Sequence, residues 1–198
     1  MPDKINMKKL NSVRRRRPGR LPDLPRRVDN LRPGEDFVPM LDYFVIEERE
    51  NIKNKLETFM QHLEFEDSHL FIFDIHKTTL TEGGEINQSV LQNITELLRA
   101  RYQVIFLSYV GRITGTRVRI QETLRQINSE PIYRLIPKFF IKKRKKQRFM
   151  KSLYELLLPK RIGMTLIDDN PRNIRDVENL QDTKFTALHF TGDFDSLL

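Results

Sequence analysis

From residue 69 to residue 190 the sequence alternates between short apolar runs and amphipathic stretches, and this alternation constrains the fold most strongly. Continuous apolar runs are typical of strands buried on both faces. The predicted strands span residues 69–75, 103–108, 132–136, 163–168 and 184–190. Between them, apolar residues recur three and four positions apart, which predicts helices over residues 85–101, 115–128, 145–158 and 171–180. Strands and helices in alternation predict an α/β protein, a three-layer sandwich with a central parallel sheet.

The chain before residue 67 has a different composition. Residues 1–36 hold five of the ten prolines, and proline at this density together with repelling charges predicts an extended arm. Residues 37–46 are apolar enough to dock on the body of the protein, and residues 46–65 follow with the spacing of an amphipathic helix. We therefore expect three parts, which are an arm (1–36), a docking segment and helix (37–66) and an α/β domain (67–198).

The positive charge of the chain is concentrated in the arm. The whole chain has 35 Lys and Arg against 27 Asp and Glu, a net charge of +8. Residues 1–27 hold ten basic and two acidic residues, so the remaining 25 basic and 25 acidic residues balance. The run Arg14, Arg15, Arg16 and Arg17 predicts binding to RNA or DNA phosphates without sequence specificity. A nuclear localisation signal and a solvated disordered tail are the alternatives.

A second basic run, residues 138–151, holds eight basic residues in fourteen and no acid. Within it, Lys142, Lys143, Arg144 and Lys145 are candidate nucleic-acid contacts that would lie at the rim of a site if a helix begins next to them. The alternative is a solvated helix start. Phe139 and Phe140 are expected in the core rather than as stacking platforms for bases.

Composition excludes several classes of protein. The chain has no cysteine, which removes disulfides, thiolate metal sites and cysteine nucleophiles, and suits a reducing compartment. No apolar run approaches the roughly 18–20 residues of a membrane helix, and no apolar segment follows the charged N-terminus as in a secretory signal. We expect an intracellular protein of the cytoplasm or nucleus, with an organelle left open, and no membrane partner.

Acidic and hydroxyl side chains follow three of the predicted strands. The first strand leads into Asp74, the second ends in Ser108, and the fourth ends in Asp168 and Asp169. Ligands of parallel sheets bind beyond the carboxyl ends of the strands. Three carboxylates in one cleft repel unless a cation such as Mg²⁺ neutralises them, and a carboxylate beside the cation can attack phosphorus. The alternative is that Asp74 and Asp168 each cap a helix.

These segments resemble three motifs of the haloacid dehalogenase-like (HAD) superfamily. FIFDIHKTTL resembles the first motif, an apolar strand followed by Asp-x-Asp-x-Thr. VIFLS resembles the second, and MTLIDDNPRNI resembles the fourth, an apolar strand ending in Asp-Asp. The resemblance covers roughly residues 67–191. It implies a Rossmann-like domain and a Mg²⁺-dependent phosphatase that forms an aspartyl-phosphate.

The resemblance implies a role for each matching residue. Asp74 would be the nucleophile and a Mg²⁺ ligand, and Asp168 and Asp169 would complete the metal site. Thr78 and Ser108 would bind the phosphoryl group. The third motif is a lysine at a helix start. Lys146 fits it best because apolar residues follow at helical spacing, and Lys142, Lys143 and Lys145 stay open.

One position departs from the pattern. The phosphatases of this superfamily place a second Asp two residues after the nucleophile as acid and base, and here that residue is His76. Either His76 takes over both roles, since its reference pKa is near ~6.5, or the hydrolytic half-reaction is impaired.

Neither gap between the motifs is long enough for a full cap domain. Asp74 and Ser108 are 34 positions apart, and Ser108 and Lys146 are 38 apart, while residues 79–87 could form a small flap. The resemblance implies that capless members act on large substrates. We therefore expect a phosphatase for a phosphorylated macromolecule or anionic polymer. The alternative is a catalytically impaired module that binds nucleic acid or belongs to a ribonucleoprotein or viral assembly.

Overall fold

The computed structural model describes residues 43–46, 52, 54–57, 69–111, 116–141, 146–157, 162–180, 185–192 and 197. The predicted arm, with its arginines at 14–17, lies outside these residues. The basic positions 142–145 lie outside them as well.

A six-stranded parallel sheet forms the centre of the fold. Its strands are β1 (Tyr43–Ile46), β2 (Leu70–Phe73), β3 (Gln103–Tyr109), β4 (Lys138–Ile141), β5 (Met164–Asp168) and β6 (Phe185–His189). Their order across the sheet is β1-β4-β3-β2-β5-β6, and every neighbouring pair is parallel. The predicted α/β class is confirmed.

Helices cover both faces of this sheet. They are α1 (Gln88–Arg99), α2 (Thr116–Ile127), α3 (Lys146–Leu157) and α4 (Pro171–Glu178), with a 3₁₀ helix at Pro131–Leu135. Alternate residues of each strand point to opposite faces. Leu70 and Ile72 pack with apolar residues of α3 and α4, whereas Phe71 and Phe73 pack with those of α1 and α2. The protein is therefore a three-layer sandwich with two apolar cores.

One predicted strand is wrong. Residues 132–135 belong to a 3₁₀ helix instead, and Ile136 is its C-cap. Pro131 starts this helix, and Glu130 caps it by accepting a hydrogen bond from the Ile132 N–H. The strand follows as KFFI, with Phe139 in one core and Phe140 in the other. Lys138 is buried because its Nζ donates to the carbonyl oxygens of Tyr133 (2.7 Å) and Ile136 (2.9 Å). The start of the second basic run is thus interior, and Phe139 and Phe140 are core residues as expected.

The docking segment contributes an edge strand. Residues 43–46 form β1, which pairs in parallel with β4 and buries Ile46. Ile52 and Leu56 are helical and buried, as the predicted amphipathic helix requires, and its other apolar positions lie outside the described residues. No helix in the described part of the chain is both long and apolar enough to cross a membrane.

Candidate functional site

The sheet order brings the three acidic and hydroxyl strand ends together. β3, β2 and β5 are neighbours, so Ser108, Asp74 and Asp168 meet at one edge. The register pairs Phe73 with Ile167, and the Asp74 N–H donates to the Ile167 carbonyl at 2.9 Å. Asp74 follows Phe73 and Asp168 follows Ile167, so the two acids lie side by side at the ends of adjacent strands.

Three carboxylates form a cluster at this edge. One oxygen from each of Asp74, Asp168 and Asp169 lies within 4.8 Å of the others. Asp74 and Asp168 are buried, and Asp169 is half-buried. Charged groups are costly to bury unless they are paired, so this cluster needs positive charge close by.

Lys146 supplies part of that charge. It is the first residue of α3, and its buried Nζ donates to Asp74 Oδ1 at 2.5 Å and to Asp168 Oδ2 at 2.6 Å. Of the four lysines that the sequence left open for this position, the structure brings Lys146 to the carboxylates, while positions 142, 143 and 145 are not described.

Asp168 is held in place by further hydrogen bonds. Its Oδ1 accepts from the Asn170 N–H (2.9 Å) and from Asn173 Nδ2 (3.1 Å), and its Oδ2 accepts from Asn173 Nδ2 (3.0 Å) and Lys146. The helix caps are other residues, since Asn170 caps α4 and Asn87 caps α1. The helix-capping alternative for Asp74 and Asp168 is therefore not observed.

The charges of the cluster do not balance. Burial raises the pKa of Asp74 to about 7, Lys146 opposes that rise, and Asp168 adds to it. Burial and the charge of Asp168 also raise the pKa of Asp169. Burial disfavours the ammonium of Lys146, but Asp74 and Asp168 outweigh this and raise its pKa. One ammonium faces three carboxylates, so the donor set fits a divalent cation with oxygen ligands, such as Mg²⁺.

His76 is held between two hydroxyl groups. Its Nδ1 lies 2.9 Å from Ser108 Oγ, and its Nε2 lies 3.2 Å from Thr123 Oγ1. Burial, followed by the charges of Lys146 and Arg119, lowers the pKa of His76, which favours the neutral form of its ring. Both ring nitrogens are thus already engaged in hydrogen bonds.

Thr123 is a site residue that sequence reasoning missed. It lies on the buried face of α2 between Ile120 and Ile127, at spacings of three and four. A hydroxyl residue on this apolar face is the signal that could have revealed it. Val118, another apolar residue of this helix, does not share the buried face. It lies two positions from Ile120, on another side of the helix, and 67% of it is exposed in the cleft.

Thr78, for which the resemblance implies phosphate binding, is not among the residues that line the cleft. Lys77 turns the chain with a positive φ of 58°, and Thr78 is then fully buried. Its Oγ1 has no hydrogen-bond partner among the described residues. The next residue, Thr79, donates its hydroxyl to the Asp74 carbonyl at 2.6 Å and so steadies the loop behind Asp74.

The cluster forms the floor of an open cleft of about 1500 Å³, which Ser108, His76 and Thr123 also line. Beside it the segment at 79–87 folds back, with Leu80 bridged to Ile86 and Gly84 turning at a φ of +83°. Residues 74–87 are all described, and between β2 and α1 they form this small flap and no further domain.

Fold and cleft together define a Rossmann-like α/β protein with a carboxylate cluster at the carboxyl edge of its sheet. No protein-family model, no curated protein and no solved structure matches this chain. The geometry of the cleft therefore carries the functional assignment.

Proposed function

We propose that this protein is a Mg²⁺-dependent phosphatase of the HAD-like type that works through an aspartyl-phosphate on Asp74. The observation that carries the proposal is the convergence of the three carboxylates with Lys146 and Ser108 beyond the ends of adjacent parallel strands. The open cleft with only a small flap favours a large or anionic substrate.

Each residue of the cluster has a chemical task in this reaction. The Asp74 carboxylate attacks the phosphorus atom, the leaving oxygen departs, and water then releases inorganic phosphate and restores Asp74. Lys146 holds Asp74 Oδ1 and opposes the rise of the Asp74 pKa, which favours the ionised form that attacks phosphorus. Ser108 and Lys146 provide donors for the oxygens of the phosphoryl group. Mg²⁺, held by Asp74, Asp168 and Asp169, would neutralise the cluster and polarise the phosphoryl group.

His76 suits only one of the two proton transfers. A neutral imidazole can accept the proton of the attacking water, but it has no proton in excess for a leaving alkoxide. We therefore expect esters with good leaving groups to be turned over best.

The proposal predicts a metal requirement. The protein is expected to release phosphate from an aryl phosphate in the presence of Mg²⁺, and EDTA is expected to reduce the rate at least about 100-fold, since a metal contributes several kcal/mol to such a reaction. Mg²⁺ is also expected to raise the melting temperature of the protein, and less so in Asp169→Asn. Equal turnover in Mg²⁺ and in EDTA would contradict the metal-dependent mechanism.

One observation favours a second function, a catalytically impaired module that binds nucleic acid. His76 stands where an acid is expected, and the chain carries its positive charge in the arm. Such a module would show no turnover and no phosphate trapped on Asp74, together with RNA binding that weakens with salt.

The variant His76→Asp tests the role of His76 in the proposed reaction. We expect its turnover of an alkyl phosphate to rise at least about tenfold, because the new carboxyl can protonate the leaving group, a contribution of roughly 10²–10⁴ in rate. The matched variant His76→Asn, which cannot transfer a proton, is expected to show no gain. Loss of aryl phosphate turnover in both variants would instead make His76 itself an essential catalyst.

A further inference from the structure

Three arginines line the same cleft as the carboxylate cluster. Arg119, Arg148 and Arg172 come from three different helices, and all three are exposed. Within the described part of the chain, none of their guanidinium groups forms a hydrogen bond or an ion pair. Arg119 lies one helical turn before Thr123, whose hydroxyl contacts His76, so this arginine stands close to the floor of the cleft.

The stability of the fold does not explain these arginines. Each lies in the first turn of its helix, α2, α3 or α4, and none of these first turns contains an acidic residue. The helix macrodipole favours negative charge at this end, so a cation there is unfavourable. Guanidinium groups bind phosphate through paired hydrogen bonds, and three of them around one cleft indicate an anionic ligand.

Positive and negative charges are separated by depth in the cleft. The floor holds Asp74, Asp168 and Asp169 with Lys146, and the arginines occupy the helix ends around it. Two further acids line the cleft. Glu122 is paired with Arg125 at 2.8 Å, and Asp176 lies in the second turn of α4. If a ligand places one phosphate on the floor, its neighbouring negative charges would therefore lie beside the guanidinium groups of these arginines.

The neighbourhood of Asp74 restricts the leaving group. Cleavage of an alkyl ester needs a proton for the departing oxygen. The residue in position to supply it, His76, already has Ser108 Oγ and Thr123 Oγ1 on its two nitrogens. Cleavage of a phosphoanhydride needs no such proton, because the departing phosphate is a stable anion whose charge the arginines can balance.

We infer that the substrate is a phosphoanhydride, a polyphosphate chain with its terminal phosphate at Asp74 and its next phosphates on Arg119, Arg148 and Arg172. This inference rests on the proposed function and narrows it. A bond forms between Asp74 and the terminal phosphorus, the bridging P–O bond breaks, and its electron pair stays on the departing phosphate. Water then attacks the same phosphorus, the bond between phosphorus and Asp74 breaks with its electron pair on the restored carboxylate, and both protons of the water leave on the inorganic phosphate. The products are inorganic phosphate and a chain one phosphate shorter.

Phosphate release from a panel of substrates tests the inference. The panel contains inorganic tripolyphosphate, ATP, a 5′-triphosphorylated RNA oligonucleotide, its 5′-monophosphorylated form, AMP and an aryl phosphate. We expect kcat/KM for the anhydrides to exceed that for AMP at least about 100-fold. A general acid contributes roughly 10²–10⁴ in rate, and cleavage of AMP needs one whereas cleavage of the anhydrides does not. Comparison of ATP with the triphosphorylated oligonucleotide shows whether the polyphosphate belongs to a nucleotide or to a strand end.

Single arginine variants provide the second measurement. Arg119→Gln, Arg148→Gln and Arg172→Gln are each expected to lower the ratio of tripolyphosphate to aryl phosphate turnover about tenfold, the size of one lost charge-assisted hydrogen bond. Arg117→Gln on α2 and Arg175→Gln on α4 serve as matched controls, because both are exposed and neither lines the cleft. They are expected to leave the ratio unchanged.

The outcomes separate this inference from the proposed function. If the aryl phosphate is turned over but AMP or the monophosphorylated oligonucleotide is preferred, or if the arginine variants match their controls, the anhydride inference is overturned and the phosphatase stands. If nothing is turned over, binding of tripolyphosphate by calorimetry decides. Binding that the arginine variants weaken supports the polyphosphate site and overturns the phosphatase, whereas absence of binding overturns both.

Discussion

Replacing Lys146 with methionine is expected to lower the free energy of unfolding by about 3–5 kcal/mol in metal-free buffer, the usual cost of removing one partner from a buried ion pair. Methionine fills a similar volume, so the change removes the charge more than the packing. Without the ammonium, Asp74 and Asp168 lose their 2.5 and 2.6 Å hydrogen bonds and face Asp169 with no cation between them. Chemical denaturation followed by circular dichroism measures the loss.

Two comparisons make this result specific to the cluster. Lys151→Met places the same substitution on an exposed position of α3, where an effect within about 0.5 kcal/mol is expected. Mg²⁺ is expected to stabilise Lys146→Met more than it stabilises the native protein, because the variant lacks the only ammonium bound to the carboxylates in the described residues. A loss below about 1 kcal/mol would mean that Lys146 does not compensate the carboxylate charges. If Lys146→Met does not fold, Lys146→Arg, which keeps the charge, is expected to fold.

Replacing Asp74 with asparagine is expected to reduce turnover of every phosphate substrate at least about 10³-fold, as removal of a covalent nucleophile does in enzymes. The amide cannot form the acyl-phosphate, so phosphate that is stable to acid and released by hydroxylamine should be trapped on the native protein and not on the variant. The fold is expected to survive the change. Burial raises the pKa of Asp74 to about 7, so its ionised form is costly and a neutral amide relieves that cost.

Asp176→Asn is the matched control for this experiment. Asp176 lines the same cleft but does not belong to the carboxylate cluster, so its turnover is expected to change less than about threefold. If Asp74→Asn keeps more than a tenth of the native rate with an unchanged melting temperature, Asp74 is not the nucleophile, and the aspartyl-phosphate mechanism is wrong.

Most of the sheet could be predicted from local patterns. β2, β3 and β5 are continuous apolar runs, and each lies within or beside its predicted range because a strand buried on both faces allows few polar residues. The same criterion wrongly predicted a strand at residues 132–136. It is apolar and β-branched, yet Pro131 and Glu130 start a 3₁₀ turn, and the strand begins at a lysine. A buried lysine is not foreseeable locally, because its hydrogen bonds to carbonyl oxygens exist only once the chain is folded.

The residues of the cleft divide in the same way. Asp74, Ser108, Asp168 and Asp169 were predictable because each follows a recognisable strand, and parallel strands deliver their carboxyl ends to one edge. The placement of Thr123 in the cleft and the exposure of Val118 could not be predicted, since both depend on how α2 is rotated about its axis. The orientation of Thr78 depended on the left-handed turn at Lys77, a conformation that a non-glycine residue seldom adopts.

By itself, the sequence determined the α/β class, the strands that carry acids and the chemistry those acids favour, because apolar periodicity and strand ends are local properties. Only the tertiary structure decided which groups meet. Lys146 reaches Asp74 across 72 positions of chain, and His76 reaches Ser108 and Thr123 across 32 and 47. Such contacts arise from the order of strands and the packing of helices. Their distances set the charge balance of the carboxylate cluster and the hydrogen bonds of both ring nitrogens of His76.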